Sequence, residues 1–169
     1  MQSLTHDLPF DIISRLGLAL LAGIIIGLNR WLHHKSAGIR THSLVALGSA
    51  VAMLLISHNE STDAQAYSRV LQGVLTGIGF LGAGVIIRES SSRRVHGLTT
   101  AASIWACALL GAAFGAGAFT LAYTALAMIM LTLLIGGPLE TLLGKILRRP
   151  REENGDENST APTADHDRH

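Results

Sequence analysis

Long apolar segments separated by short polar ones run along most of the chain. From Leu98 to Gly137 there are 40 residues without a Lys, Arg, Asp or Glu. At about 1.5 Å per helical residue this segment is roughly 60 Å long, about twice the thickness of the hydrocarbon core of a bilayer. It must therefore fold back, and the sequence Gly115-Ala116-Gly117 suits a turn. The pattern predicts two membrane-spanning helices, at 98–114 and 117–136.

Three further apolar segments precede this pair, and each approaches the length of about 20 residues that a spanning helix needs. They cover residues 12–29, 41–57 and 70–87. The first contains Arg15 and is long enough only if that side chain extends to the membrane surface. A signal peptide or a re-entrant segment is the alternative there, but a signal peptide starts with basic residues and residues 1–11 are acidic. The sequence thus predicts an all-α integral membrane protein with about five transmembrane helices.

The composition agrees with closely packed membrane helices. The chain is 49% hydrophobic and only 15% charged, whereas soluble domains are about 25% charged. It contains 18 Gly but only 5% aromatic residues, so the apolar content is small and aliphatic. A single Cys excludes a disulfide scaffold, and the apolar fraction excludes a disordered protein. A formal net charge of +1 argues against a nucleic-acid partner.

The basic residues predict the orientation of the chain. Residues 1–11, the 57–68 loop and the turn at 115–117 contain no Lys or Arg. Because cytoplasmic loops carry an excess of Lys and Arg, the N-terminus is predicted outside and the C-terminus inside, with residues 1–11 in the periplasm. The basic residues on the predicted cytoplasmic side are Arg30, Lys35, Arg40, Arg88, Arg93, Arg94, Lys145, Arg148, Arg149 and Arg151.

The chain after the fifth span divides into a basic helix and an acidic tail. Residues 138–149 form an amphipathic pattern that favours either an interfacial helix on the anionic inner leaflet or an extension of the fifth helix, and both interpretations stay open. Residues 150–169 hold 6 acidic and 2 basic side chains and are predicted to be disordered. The apolar stripe of the basic helix is Leu139, Leu142, Leu143, Ile146 and Leu147.

The spans lack the side chains that catalysis or ion transport needs. Every Asp and Glu lies at or outside the end of a predicted span. Because Mg²⁺ is usually held by one or two carboxylates, a Mg²⁺ or proton-coupled transporter is disfavoured. The motifs of zinc proteases, phosphate-binding loops and nucleophile elbows are missing from the sequence. Cys107 is interpreted as a packing residue. The sequence therefore predicts no catalytic, metal-binding or cofactor-binding residues, and no enzyme.

Glycines recur at the spacing that lets membrane helices pack closely. Three pairs are separated by three residues, and the third span adds further glycines, which predicts that this helix is central in the bundle or locally bent. The sequence does not say whether the partners lie in the same chain or in another subunit. The predicted packing glycines are Gly23, Gly27, Gly73, Gly77, Gly79, Gly82, Gly84, Gly111 and Gly115.

Four stretches together resemble the MgtC/SapB family of bacterial inner-membrane proteins. They read LAGIIIGLNR at 21–30, AGIRTHSLVALGSA at 37–50, GIGFLGAGVIIR at 77–88 and VHGLTTAASIW at 95–105. The likeness covers about residues 12–136. It implies a multi-pass inner-membrane protein linked to growth in low magnesium, to stress responses and, in some members, to virulence. A regulatory action on membrane partners, including ATP synthase, has been proposed for some members.

The chain departs from the family pattern at several positions. The family usually has Glu where this chain has Asn29 and Arg where it has His96, which suggests that an ion pair is replaced here by an Asn–His contact. Thr99 stands where the virulence-associated members have Asn, and Ala106 where they have Cys. Many members also carry a C-terminal domain of ACT-like type, for which the roughly 30 residues after the last span are too few.

One group of residues is the best candidate for a functional patch, and we name it the rim. Clustered cations at a membrane surface bind anionic lipid headgroups or an acidic partner segment, the acidic tail included. The alternative is that these residues only fix the orientation of the protein. The rim consists of Asn29, Arg30, Arg40, Thr41, His42, Arg88, Arg93, Arg94, His96 and Thr99.

These observations favour a non-enzymatic membrane modulator that acts through helix contacts with other membrane complexes. The alternative is a small channel or carrier for an ion or polar solute, formed at an oligomer interface. The expected partners are the lipid bilayer and either a second membrane protein or further copies of this chain. The sequence names no cofactor and no particular partner.

Overall fold

The computed structural model describes residues 4–57, 64–88 and 95–147. Within these ranges five helices are long and apolar enough to cross a membrane, which confirms the predicted all-α membrane fold. A two-stranded antiparallel hairpin connects the third helix to the fourth. The elements are α1 (Leu4–Leu32), α2 (Ile39–Ser57), α3 (Ala64–Val85), β1 (Ile87–Arg88), β2 (Val95–His96), α4 (Leu98–Gly115) and α5 (Phe119–Leu147).

The core is built from α1, α2 and α4, which approach one another at glycines. A Cβ on Gly23 of α1 would lie 2.7 Å from the Cα of Ser43 in α2. Three residues further along α2, a Cβ on Gly111 of α4 would lie 2.7 Å from the Cα of Ala46. Gly27 and Gly115 make equivalent contacts one turn further along. Since no side chain fits between these backbones, α2 packs closely against both α1 and α4.

The expectation that the third helix is central is wrong within this chain. In α3 only Ile78 and Gly82 are buried, and the helix packs on α4 through an apolar contact that includes Ile104. The branched side chain of Ile78 therefore lies on the face of α3 that packs against α4. A Cβ on Gly82 would have one ordinary contact, 3.7 Å from the Cβ of Ala101. Apart from their own stretch of helix, no atom of the described residues lies within 4 Å of the Cβ positions of Gly73, Gly77, Gly79 and Gly84.

The fifth helix is continuous across the boundary that the sequence placed at residue 138. Pro138 lies inside α5 without ending it. Thr141 Oγ1 donates to the Gly137 carbonyl oxygen at 3.0 Å, one turn back. The segment 138–147 therefore extends α5, which is the second of the two interpretations of this segment. Whether these last turns lie on the membrane surface stays a prediction, and residues 148–169 lie outside the described ranges.

The hairpin between α3 and α4 was not expected from the sequence, which continued the third span to residue 87. The helix ends at Val85, and Ile87 and Arg88 pair with His96 and Val95. Gly97 immediately precedes α4 and has φ 92°, a conformation that strongly favours glycine. The backbone of Val85 also packs against Gly97, so a side chain there has no room.

Arg15 lies at the opposite end of α4, beside its last turn. Its guanidinium forms an ion pair with Asp11 at 2.9 Å, and its side chain is 20% exposed. Nη1 also donates to the Gly115 carbonyl oxygen at 3.1 Å. This carbonyl belongs to the last turn of α4, where helical carbonyls lack partners and the helix dipole is negative. Arg15 is therefore accommodated inside the first span by two favourable partners.

Candidate functional site

The structure brings three of the rim residues together in the interior, where α1, α2 and α4 meet. Asn29 is 6% exposed, Arg30 is 5% exposed and His42 is fully buried. Gly27 brings the end of α1 onto the start of α2, and this contact places Arg30 beside the first turns of α4. The centre of the candidate site is therefore a buried polar cluster at the helix ends.

A chain of hydrogen bonds links the three helices at this point. Arg30 Nη2 donates to Thr100 Oγ1 at 3.1 Å. The next turn of α4 supplies Ser103, whose Oγ lies 2.8 Å from the Thr100 carbonyl oxygen and 3.1 Å from His42 Nε2. His42 Nδ1 lies 2.9 Å from the Gly38 carbonyl oxygen. Because the bonds of Arg30 and Ser103 join buried groups, the cluster fixes the relative positions of α1, α2 and α4.

The hydroxyl proton of Ser103 has two acceptors within reach, His42 Nε2 and the Thr100 carbonyl oxygen. A carbonyl oxygen only accepts, so Nδ1 carries a hydrogen that it donates to Gly38. In neutral His42, Nε2 then accepts the proton of Ser103. In the imidazolium form both ring nitrogens donate, and Ser103 donates to the Thr100 carbonyl instead. The position of this one proton therefore depends on the protonation state of His42.

The cluster also contains polar atoms that have no partner. Cys107 is satisfied, since its thiol donates to the His42 carbonyl oxygen at 3.2 Å. Asn29 Oδ1, Arg30 Nε and Ser43 Oγ are buried, and none of them has a hydrogen-bond partner among the described residues. An unpaired buried donor or acceptor costs about 1–3 kcal/mol, more when it is charged. Arg30 Nε is the one that belongs to a cation, and Arg30 also faces a cavity.

That cavity, which we name the rim cavity, has a volume of about 680 Å³. It lies between the end of α1, β2, the first turn of α4 and residues 132–141 of α5. Its size is within the range of about 300–1,000 Å³ typical of small-molecule sites. Its polar lining consists of Arg30, His33, Lys35, His96, Thr99, Thr100, Thr132, Glu140 and Thr141.

The remaining rim residues occupy different positions. Thr99 and His96 are exposed and line the rim cavity. Arg40 and Thr41 are exposed at the start of α2 and are not part of the cavity lining. Arg88 belongs to β1, and the positions 93 and 94 lie outside the described ranges. The proposed contact between Asn29 and His96 stays a prediction.

Sequence reasoning missed two members of the cluster, Thr100 and Ser103. Ser103 bonds to the Thr100 carbonyl oxygen of its own helix, and both side chains also bond to residues of other helices. Their spacing of three residues places them on one face of α4, which was an available signal.

Within the described residues, no three His, Cys, Asp or Glu side chains are grouped so that they could hold a metal ion. The cluster offers hydrogen-bond donors and one buried cation.

The fold defines the class of protein, a multi-pass α-helical membrane protein with a polar cluster and cavity at one end of its core. The MgtC family model matches residues 16–142. The chain therefore belongs to the MgtC family, as the resemblance indicated.

Named relatives support this assignment. The chain is 44% identical to protein SrpB of Synechococcus elongatus over 129 residues, 70% of this chain and 71% of that protein. It is 37% identical to protein SapB of Bacillus subtilis, over 72% of this chain and 55% of that protein. With protein MgtC of Salmonella typhimurium the identity is 42%, over 73% of this chain and 51% of that protein. The chain thus spans about half the length of the SapB and MgtC relatives. No solved structure matches the chain.

Proposed function

We propose that this protein is a non-enzymatic inner-membrane modulator, which binds other membrane complexes through its helices during magnesium limitation or stress. The link to magnesium and stress rests on family membership. The helix-contact mechanism rests on one observation of this chain, the outward face of α3. We name this face the α3 outer face, and it consists of Gly73, Gly77, Phe80 and Gly84.

The α3 outer face lacks a partner in the described chain. Gly73, Gly77 and Gly84 have nothing within 4 Å of their Cβ positions, and Phe80 is 83% exposed. The four residues follow one another at intervals of four, three and four, so they form a single stripe of the helix. Lipid tails are as apolar as leucine side chains, so membrane helices associate by close packing at small residues. A helix of a partner protein can approach this stripe closely, with Phe80 entering its surface.

The test is photocrosslinking in native membranes. A photoreactive benzoyl-phenylalanine in place of Phe80 is expected to crosslink to a membrane protein, whereas the same residue in place of Leu55 of α2, which is 72% exposed, is expected to label lipid. Gly77→Ile should abolish the crosslink and any rescue of growth in low magnesium. Gly48→Ile is the matched control, because Gly48 is exposed and also has open space around it.

Three outcomes would contradict this proposal. A crosslink only to a second copy of the chain would assign the α3 outer face to an oligomer. Equal effects of Gly77→Ile and Gly48→Ile would remove the role of the face. Saturable uptake of Mg²⁺ or another solute into liposomes that contain the purified protein would favour the channel or carrier. The contact of α3 with α4 gives this last function no support, since Ile78, Ile104 and Ala108 make it apolar.

The orientation is part of the same proposal. The rim and the C-terminal end of α5 face the cytoplasm, and residues 1–11 face the periplasm. The positive-inside pattern supports this arrangement. Single cysteines introduced at exposed positions in a Cys107→Ala background, labelled from one side of the membrane, would measure it.

A further inference from the structure

Arg30 lies in an environment that calls for a negatively charged ligand. Its side chain is only 5% exposed and lines the rim cavity, and its Nε has no hydrogen-bond partner among the described residues. Its bonded partner, Thr100 Oγ1, is neutral and belongs to the first turn of α4. The first turn of a helix has unpaired N–H groups and about half a positive charge. A buried cation and the positive end of a helix dipole therefore meet at one wall.

The other walls of the rim cavity add to this positive character. Lys35 and the two histidines His33 and His96 are exposed and line the same space. Gly97, the residue before α4, has no side chain and makes no side-chain cap to the helix. Glu140 of α5 is the one described carboxylate in the lining, and it stands on the wall opposite α4. Lys35 and Arg30 outweigh it, so the chamber favours an anion at the α4 wall.

A separate apolar groove lies along the seam between α4 and α5, and Met53 of α2 and Leu71 of α3 also border it. We name it the seam groove. It has a volume of about 550 Å³ and an almost entirely apolar lining that includes Trp105, Leu109, Ala113, Leu121, Ala125 and Ile129. α5 packs loosely on the core, and Ala122 is its one buried residue within the described range. An edge-to-face contact of Phe114 with Tyr123 joins α4 and α5 near their connecting turn.

The rim cavity and the seam groove share one side of both helices. On α5, Ala125 and Ile129 in the groove are followed at helical spacing by Thr132 and Gly136 in the cavity. On α4, Leu98 in the cavity lies seven residues, about two turns, before Trp105 in the groove. Five residues separate Thr100 from Trp105, which is about 7.5 Å along the axis and about 140° around it. The polar cavity and the apolar groove thus follow one another along the same two helices without sharing a lining residue.

We propose that this seam binds one phospholipid molecule in a defined site. The phosphate lies against Arg30 and the N-terminal turn of α4, and an acyl chain lies in the seam groove. Charge complementarity selects the phosphate, and the apolar groove selects a lipid over a free phosphate. The site does not depend on the modulator role, since no residue of the α3 outer face lines the rim cavity or the seam groove.

The test measures lipid binding to the full chain by native mass spectrometry after the protein has been delipidated in detergent. The probes are phosphatidylglycerol, diacylglycerol without a phosphate, and glycerol 3-phosphate without acyl chains. We expect one phosphatidylglycerol per chain, bound at least tenfold more tightly than either of the other two. Arg30→Gln should weaken this binding at least tenfold. Arg40→Gln is the matched control, because Arg40 is exposed outside the cavity.

A second variant keeps the test valid if Arg30→Gln fails to fold. Thr99→Glu places a carboxylate in the first turn of α4, which suits a helix N-terminus and occupies the place of the phosphate. It should weaken phosphatidylglycerol binding at least tenfold. Thr120→Glu introduces the same change in the first turn of α5, where it should have no effect.

The acyl chain is tested separately. Ala125→Phe fills the seam groove and should weaken phosphatidylglycerol binding without changing the weak binding of glycerol 3-phosphate. Ala127→Phe is its control, because Ala127 is exposed and lies outside the groove.

Four results would overturn the proposal. These are equal binding of diacylglycerol, equal losses for Arg30→Gln and Arg40→Gln, equal losses for Thr99→Glu and Thr120→Glu, and glycerol 3-phosphate binding as tightly as the lipid. The last result would assign the cavity to a soluble phosphate compound. Failure of the α3 crosslinking experiment would leave these measurements unaffected.

Discussion

The two arginines of α1 lie at opposite ends of α4, and their surroundings differ in electrostatic sign. Arg15 meets the C-terminal end, where it donates to the Gly115 carbonyl oxygen and pairs with Asp11. Arg30 meets the N-terminal end, where it donates to the neutral Thr100 hydroxyl. The Asp11 ion pair has no counterpart at Arg30 among the described residues. The helix dipole therefore favours the first arginine and opposes the second.

This difference separates a structural charge from a binding charge. Arg15 contacts the Asp11 carboxylate and the negative end of the α4 dipole, so it joins α1 to the end of α4 without any ligand. Arg30 is more deeply buried, retains an unpaired Nε and faces a cavity. A buried charge is costly unless it is paired. The same residue type at the two ends of one helix thus serves two purposes, and the ligand belongs at the N-terminal end.

The largest expected effect is a loss in the free energy of unfolding, and it differs between the two glycines that flank α4. Gly97 and Gly117 have φ values of 92° and 78°, so an alanine is strained at either position. A Cβ on Gly97 would lie 3.0 Å from the Val85 carbonyl carbon, which is backbone, whereas one on Gly117 would meet the flexible side chain of Arg15. Gly97→Ala should lower the free energy of unfolding by about 3 kcal/mol or more, and Gly117→Ala by about 1 kcal/mol.

Unfolding in detergent with increasing SDS, followed by circular dichroism, measures both variants. Gly17→Ala is a suitable reference, since Gly17 has nothing within 4 Å of its Cβ position. Equal losses for the variants at 97 and 117 would show that backbone strain alone, and not the closed packing at the hairpin end, sets the cost.

The second prediction compares the arginines directly. Arg15→Gln removes charge-assisted hydrogen bonds and leaves Asp11 unpaired, so the free energy of unfolding should fall by about 1.5–3 kcal/mol whether or not lipid is present. Arg30→Gln removes a cation that the α4 dipole opposes, so delipidated protein should change little. Saturating phosphatidylglycerol, at about 100 times its dissociation constant, should stabilise the wild type by about 2.7 kcal/mol and the Arg30 variant much less.

The measurement is the same SDS titration, with and without added phosphatidylglycerol. A loss on Arg30→Gln as large as that on Arg15→Gln in delipidated protein would contradict the assignment of Arg30 as a ligand-binding charge. Equal stabilisation of both variants by the lipid would do the same.

The five helices could be predicted from the sequence because the length of an apolar segment is a local property. The 40 uncharged residues from Leu98 to Gly137 had to form two spans. The exact ends were less accessible, since Val85 ends α3 at a hairpin whose strands are only two residues long. The position of α3 was also mistaken, because glycine allows close approach without specifying which helix approaches.

The candidate site was predictable only in part. Arg30 and His42 were singled out as polar residues at span ends, but their partners were not. Thr100 and Ser103 bond to residues 70 and 61 positions away in the chain, and such pairings depend on how the helices pack. The closure of Arg15 on Gly115, across 100 positions, was missed for the same reason. Without the helix arrangement, the two arginines could not be distinguished.

The smallest expected effect concerns how far the polar cluster at the Arg30 end acts as a unit. Ser103→Ala removes the hydroxyl between His42 and Thr100, and hydrogen bonds inside membrane proteins contribute about 0.6 kcal/mol on average. Since Arg30 bonds to Thr100 as well, Arg30→Gln and Ser103→Ala should couple by about 0.5 kcal/mol or more in a double-mutant cycle. Ser103 is 12 residues from Gly115, or about 18 Å along α4. Arg15→Gln and Ser103→Ala should therefore add within about 0.5 kcal/mol. If the second cycle showed coupling as strong as the first, the two ends of α4 would be energetically coupled. The contributions of Arg15 and Arg30 to stability would then not be independent.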